Sequence, residues 1–214
     1  MKAKPTTCVA VLAAVLASGA ACRPSPSPAA ARRSGQLTPI KSPTVKLVVD
    51  AAIDQIGSTV AYDPSYVKLS YPGGDVPVDR GVCSDVVVRA FRKAGVDLQK
   101  EIHEDMARNF SAYPQQWGAR KPDANIDHRR VPNLMTYFKR LKKELPITKD
   151  SNDYLPGDVV SWDLGNGLVH IGMVTNVKES GASSYSIVHN IGAGARIEDV
   201  LFSWKIIGHY RYFN

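Results

Sequence analysis

The chain has 214 residues, with 27 Lys and Arg against 20 Asp and Glu, for a formal net charge of +7. Six of the basic residues (Lys2, Lys4, Arg23, Arg32, Arg33 and Lys41) and none of the acidic ones precede residue 45, which leaves 21 basic against 20 acidic residues in the remainder. The basic character therefore belongs to the N-terminal stretch, and the rest of the chain carries no charge signature of a nucleic-acid partner.

Met1 to Ala21 has the make-up of an export signal. Lys2 and Lys4 form a short positive start, Cys8 to Ala17 is an apolar run too short to span a bilayer, and small residues Ser18 to Ala21 lead to Cys22. A cysteine after small residues also resembles a bacterial lipoprotein processing site, with Gly19 standing where such sites usually carry Leu. Residues 1–22 are read as the export signal, with simple cleavage and lipid anchoring through Cys22 both open. Either way the mature chain is expected in the periplasm or cell envelope. Residues 23–44 are rich in Pro, Ser and Ala and read as a tether that cannot bury a core. Residues 45–214 are long enough for one domain.

Within that domain, Val45 to Ile56 predicts a helix capped by Thr44 and ended by Gly57. Tyr62 to Tyr71 is β-like, and Tyr71-Pro72-Gly73-Gly74-Asp75 is a turn. Asp79 to Gly95 holds the next helix, with Val82, Val86, Ala90 and Ala94 at helical spacing and Cys83 at its start. Leu98 to Phe110 is helical, and residues 126–134 open a third helix running to about Glu144. Four β-rich runs follow: Gly157–Trp162, Leu168–Val177, Tyr185–Asn190 and Ile206–Tyr212. Helices first and an antiparallel sheet last is an α+β layout.

Cys8 and Cys22 fall in or beside the signal, so Cys83 is the one cysteine of the folded part. A lone thiol is often a core residue. Its place at a helix start, where free N–H groups and the positive dipole end favour thiolate, argues instead for a nucleophile. Gly81 just before it, and polar Ser84 and Asp85 just after, fit that reading. A thiol nucleophile needs a base and a group that orients the base. His170 and His189 lie on successive strands, at positions that can meet across an antiparallel pair. The five histidines show no paired metal-ligand spacing, so no metal or other cofactor is expected.

The segments Tyr71-Pro72-Gly73-Gly74, Asp79-Arg80-Gly81-Val82-Cys83-Ser84-Asp85, LPGDVVSW and His170-Ile171-Gly172 together resemble the NlpC-type cell-wall cysteine peptidases. With IDHRRVPNL and VHNIG, residues 45–214 are more closely similar to the bacterial domain-of-unknown-function family 1287. The resemblance implies a papain-like fold in which the nucleophile helix packs on an antiparallel sheet. It also implies amide hydrolysis in peptidoglycan stem peptides; the residues themselves are read with Cys83 as nucleophile, His170 as base and His189 as orienting residue, Asn190 being the fallback, and the domain is expected to be a monomer. The broad pattern has Asp-Cys-Ser-Gly, whereas here Val82 precedes Cys83 and Asp85 replaces the Gly, so the neighbouring pocket is expected to differ.

Supporting roles have two readings each. Asp79 and Arg80 either orient the nucleophile loop and bind a substrate carboxylate, or form an ion pair. Tyr71 either offers its hydroxyl to the site or is a half-buried aromatic. Arg129 and Arg130 either bind substrate carboxylates or make a helix-end salt bridge. For the whole domain, a cysteine amidase or peptidase, a catalytically silent cell-wall binding module and a thiol acyltransferase all fit the motifs. A low-pKa Cys83 that alkylates rapidly at neutral pH would favour the first.

Overall fold

A computed structural model describes residues 35–214. The expected export signal, Cys22 and the tether up to residue 34 lie outside the described residues. In chain order the elements are β1 (Gln36–Leu37), α1 (Pro43–Ile53), β2 (Ala61–Tyr62), β3 (Arg80–Gly81), α2 (Cys83–Lys93), α3 (Leu98–Asn109) and α4 (Val131–Arg140), then β4 (Val159–Gly165), β5 (Leu168–Val174), β6 (Val177–Lys178), β7 (Ile187–Asn190), β8 (Ala195–Glu198) and β9 (Lys205–Tyr210).

The last residues assigned to the tether are part of the fold. β1 pairs antiparallel with β6, and Ser42, rather than Thr44, caps α1 by accepting the Val45 N–H. Pro43 occupies the first helical turn, where its missing N–H leaves nothing unsatisfied. Val45, Val48, Val49 and Ala52 then bury one stripe of α1 against α2. The β-like reading of Tyr62 to Tyr71 holds only at its first residue, because β2 ends there and pairs in parallel with β3.

The helix expected from residue 126 starts later. Asp127–Arg129 is a single 3-10 turn, Arg130 is extended, and α4 begins at Val131. Pro132 has no N–H to give to a carbonyl four residues back, so a helix through it can only begin at Val131 or near it. α4 stops at Arg140, and Lys142 adopts φ 56°, short of the expected end at Glu144.

Five strands form one antiparallel sheet in the order β8-β7-β5-β4-β9. Alternation along each strand divides the core in two. Val159, Ile171, Met173 and Val188 face the helices, while Val160, Trp162, Val174 and Ile187 pack on the other side with Tyr154 and Leu201. β8 was not among the expected strands, since Ala195-Arg196-Ile197-Glu198 is short and follows a glycine-rich turn. Buried Asp158 ties the sheet to the C-terminal strand, accepting from His209 at 2.8 Å and from Arg211 at 2.7 Å.

Candidate active site

The N-terminal half of α2 is buried on all sides, so its first turn must be satisfied from within. Asp85 does this by accepting the Val82 N–H at 2.7 Å. Gly81 makes room for it: a Cβ there would lie 2.9 Å from the Asp85 Oδ2. Arg129 then neutralises the carboxylate through two parallel contacts, Nε to Oδ1 and Nη2 to Oδ2, each 3.0 Å. Its remaining N–H groups bind the Ser65 and Asp63 carbonyls, while Ser84 Oγ donates to the Arg129 carbonyl. Asp85, Ser84 and Arg129 are therefore a buried brace for the Cys83 turn. The carboxylate-binding reading of Arg129 does not hold, because every face of its guanidinium is committed.

Cys83 itself is 4% exposed. Its sulfur lies within reach of the backbone N–H groups of Ile171, Ser84 and Cys83, which favour thiolate, but burial outweighs them and pushes the thiol up to about 11. The expected low-pKa thiolate is thus replaced by a neutral thiol. The helix terminus acts as sequence reading assumes, and desolvation exceeds it.

His170 and His189 meet across β5 and β7. His170 Nε2 and His189 Nδ1 are 2.8 Å apart, and His189 Nε2 is 2.8 Å from a carboxylate oxygen of Glu198 on β8. This line dictates its own tautomers. The Glu198 carboxylate only accepts, so His189 donates from Nε2. A neutral His189 then accepts at Nδ1, and His170 must donate from Nε2. That leaves the His170 Nδ1 without a proton. Burial pushes His170 down to about 3, with His189 adding to the effect, so its ring is neutral near pH 7. His189 is also lowered by burial, against an opposing pull from Glu198. Trp162 stacks on His170 at 5.8 Å, and Trp204 meets both rings edge-on, shielding the line.

The structure brings the two histidines and Glu198 together, and no hydrogen bond among the described residues joins them to the thiol. Cys83 approaches the same strand one residue further on. β5 and β7 are paired only at Met173–Val188 and Val174–Ile187. Beyond that point the Ile171 N–H turns to the thiol, and Asn190 donates to the Ala61 and Gly81 carbonyls at 3.2 Å and 2.9 Å. Asn190 thereby holds the segment before Cys83. Among the described residues it has no hydrogen bond to His170.

The remaining candidates lie at the rim or away from it. Tyr71 is 44% exposed and hydrogen-bonds Glu104, beside the His103 ring, with no contact to the thiol. Tyr62 lines a groove of about 490 Å³ with Cys83, Val82 and Val169. Burial first, then the neighbouring Cys83, pushes its phenol up to about 12. Asp79 and Arg80 form an exposed ion pair, with Asp63 3.6 Å from Arg80. Arg130 lines the groove with its guanidinium 4.5 Å from the Trp117 ring centre. Glu198 and Tyr62 were missed by sequence reasoning. The alternation of Arg196 and Glu198 around Ile197 was the one available signal for β8. Among the described residues, no group of three or more His, Cys, Asp or Glu side chains is arranged to hold a metal ion.

A mixed α/β domain with an antiparallel sheet, a cysteine at a buried helix start and a carboxylate-anchored pair of imidazoles defines the class. Residues 49–212 match the family model described as a domain of unknown function, DUF1287, and the chain belongs to that family. It is 58% identical over 174 residues to the uncharacterized protein YijF of Escherichia coli K12, covering 81% of this chain and 84% of that one. A solved structure from Staphylococcus aureus, described as similar to a lipoprotein of the NLP/P60 family, aligns with 15% identity and a TM-score of 0.38. The alignment covers 84% of this chain and 44% of that one.

Proposed function

We propose that this domain is an exported cysteine amidase or peptidase of papain-like type, acting on amide bonds of peptidoglycan stem peptides. The observation that carries the proposal is the Cys83 thiol at a buried helix start beside the Ile171 N–H of β5, with the Glu198–His189–His170 line anchored on the opposite face of the same strand. In this reading thiol and imidazole are both neutral at rest on opposite faces of β5, and substrate binding must bring them together before the thiol passes its proton to His170 and sulfur attacks the amide carbonyl. Contacts of this kind tighten when substrate binds. The acyl group passes to sulfur, the amine leaves with the proton from His170, and water activated by the same imidazole releases the acid. The Cys83 N–H, at the helix start, contributes to holding the oxyanion, a donor typically worth about 3 kcal/mol. The choice of peptidoglycan follows the sequence resemblance, as does export with Cys22 as a candidate lipid anchor.

Burial of the thiol favours a second reading, a cell-wall binding module without turnover. Incubation with purified peptidoglycan, followed by mass spectrometry of released amines, separates the two. Cys83→Ala and His170→Ala should each abolish release to a similar extent, and Glu198→Gln should reduce it about tenfold by loosening both tautomers. Release by Cys83→Ala at the parent rate would end the nucleophile assignment. Iodoacetamide labelling of the parent should be slow at pH 7 and accelerate towards pH 11.

A further inference from the structure

A cleft of about 710 Å³ lies between α1 and the C-terminal half of α2 and shares no lining residue with the Cys83 groove. Arg92, on its α2 side, is nine residues from Cys83, about 14 Å along the helix. The volume is within the range of about 300–1,000 Å³ usual for small-molecule sites. Its two sides carry opposite charge: Asp50 and Asp54 come from successive turns of α1, and Arg92 and Lys93 from α2. Leu47 and Val78 supply apolar surface and are 47% and 62% exposed. Arg89, which also lines the cleft, is part of its frame, with its guanidinium spent on Asp75, Thr59 and three backbone carbonyls.

Each side also holds a buried polar atom without a partner. Gln55, just past the end of α1, is 7% exposed, and its Nε2 donates to the Ala51 and Val86 carbonyls. Carbonyls only accept, so the amide cannot flip, and Oε1 is left without a donor. Across the cleft, Arg92 gives Nη2 to the Gly74 carbonyl and Asp97, while its Nε–H is buried without an acceptor. The acidic side lacks a donor and the basic side lacks an acceptor.

We infer that this cleft binds a short zwitterionic peptide, its terminal ammonium on the side of Asp50 and Gln55 and its carboxylate on the side of Arg92 and Lys93. Packed helices have axes about 8–10 Å apart. A free amino acid carries both charges on one carbon and does not bridge that interval. A peptide of two or three residues, at about 3.5 Å each, does. Lys46 takes one Asp50 oxygen in an exposed pair, which leaves the second for the ligand. The inference goes beyond the amidase reading and is independent of it, because neither Cys83 nor His170 lines the cleft.

The test titrates the full chain calorimetrically with trialanine, N-acetyl-trialanine and trialanine amide. Blocking either terminus should weaken binding about tenfold, the worth of one charge-assisted hydrogen bond. Lys93→Gln should reduce only the penalty for the amide, to about threefold, since an exposed ion pair contributes the difference. Asp50→Asn should reduce only the penalty for the acetylated peptide, by the same factor. Both side chains are at the surface, and circular dichroism checks that each variant is folded. Cys83→Ala should bind trialanine as the parent does. No binding of trialanine, equal affinity for the three peptides, or variants that change both penalties alike would overturn the site. Loss of binding in Cys83→Ala would do so too, by moving the peptide to the catalytic groove. Cleavage of peptidoglycan, or its absence, bears on the amidase reading alone.

Discussion

Arg129 and Asp85 are both buried and joined by two parallel contacts, so removing either leaves the other charge without a partner. An uncompensated buried charge of this kind costs about 3–5 kcal/mol. Arg129→Met should therefore lower unfolding stability by about that amount, read as a shift in the urea midpoint. If Arg129→Met kept full stability and lost only amine release from peptidoglycan, Arg129 would return to the list of substrate ligands. At the same scale Glu198 acts through hydrogen-bond direction more than charge: as an acceptor at one end of the line it determines which nitrogen of His170, two rings away, carries no proton.

At the scale of elements, the segment before α1 is more than a linker. β1 covers one edge of β6, and Ser42 caps α1 while its hydroxyl also donates to the Asn214 carbonyl, joining the two ends of the domain. A chain beginning at Val45 loses the cap, the strand pair and this closure. Loss of a serine cap alone costs about 1 kcal/mol, or about 2–4 °C in a domain of this size. A chain beginning at Val45 should unfold at least that much below one beginning at Gly35 in a thermal melt. Equal melting temperatures would show that the segment from Gly35 to Thr44 is a tether, as its composition suggested.

For the molecule as a whole, burial dominates its titration. His128 is pushed down to about 4 by burial, with Arg129 adding to the effect, and His170 is pushed down to about 3. Each has its folded value below the ordinary 6.5 of the unfolded chain, so protons bind the unfolded state preferentially. The contribution of these rings is complete above about pH 6.5 and is lost as pH falls towards 4 and then 3, at up to about 1.4 kcal/mol per pH unit for each. Lowered carboxylates such as Asp105 push in the same direction. Urea midpoints measured between pH 7 and pH 4.5 should fall steadily. A flat profile over that interval would mean that the histidines can be protonated in place.

Sequence alone determined the local frame of the protein. Helical spacing around Cys83, strand alternation around His170 and His189, and proline-rich composition up to the domain are properties of neighbouring residues, and periodicity reports them directly. It also placed the two imidazoles on adjacent strands, because consecutive strands usually pair. What it left open needed partners far along the chain. Arg129 and Asp85 are 44 residues apart, and neither carries a mark of the other. Glu198 joins the line only because β8 lies against β7, and Tyr62 comes beside Cys83 because β2 pairs with β3 just before it. The state of the thiol was open for the same reason. A helix start favours thiolate and can be read from sequence, but the desolvation that opposes it comes from helices and strands packed around Cys83, which exist only once the chain has folded.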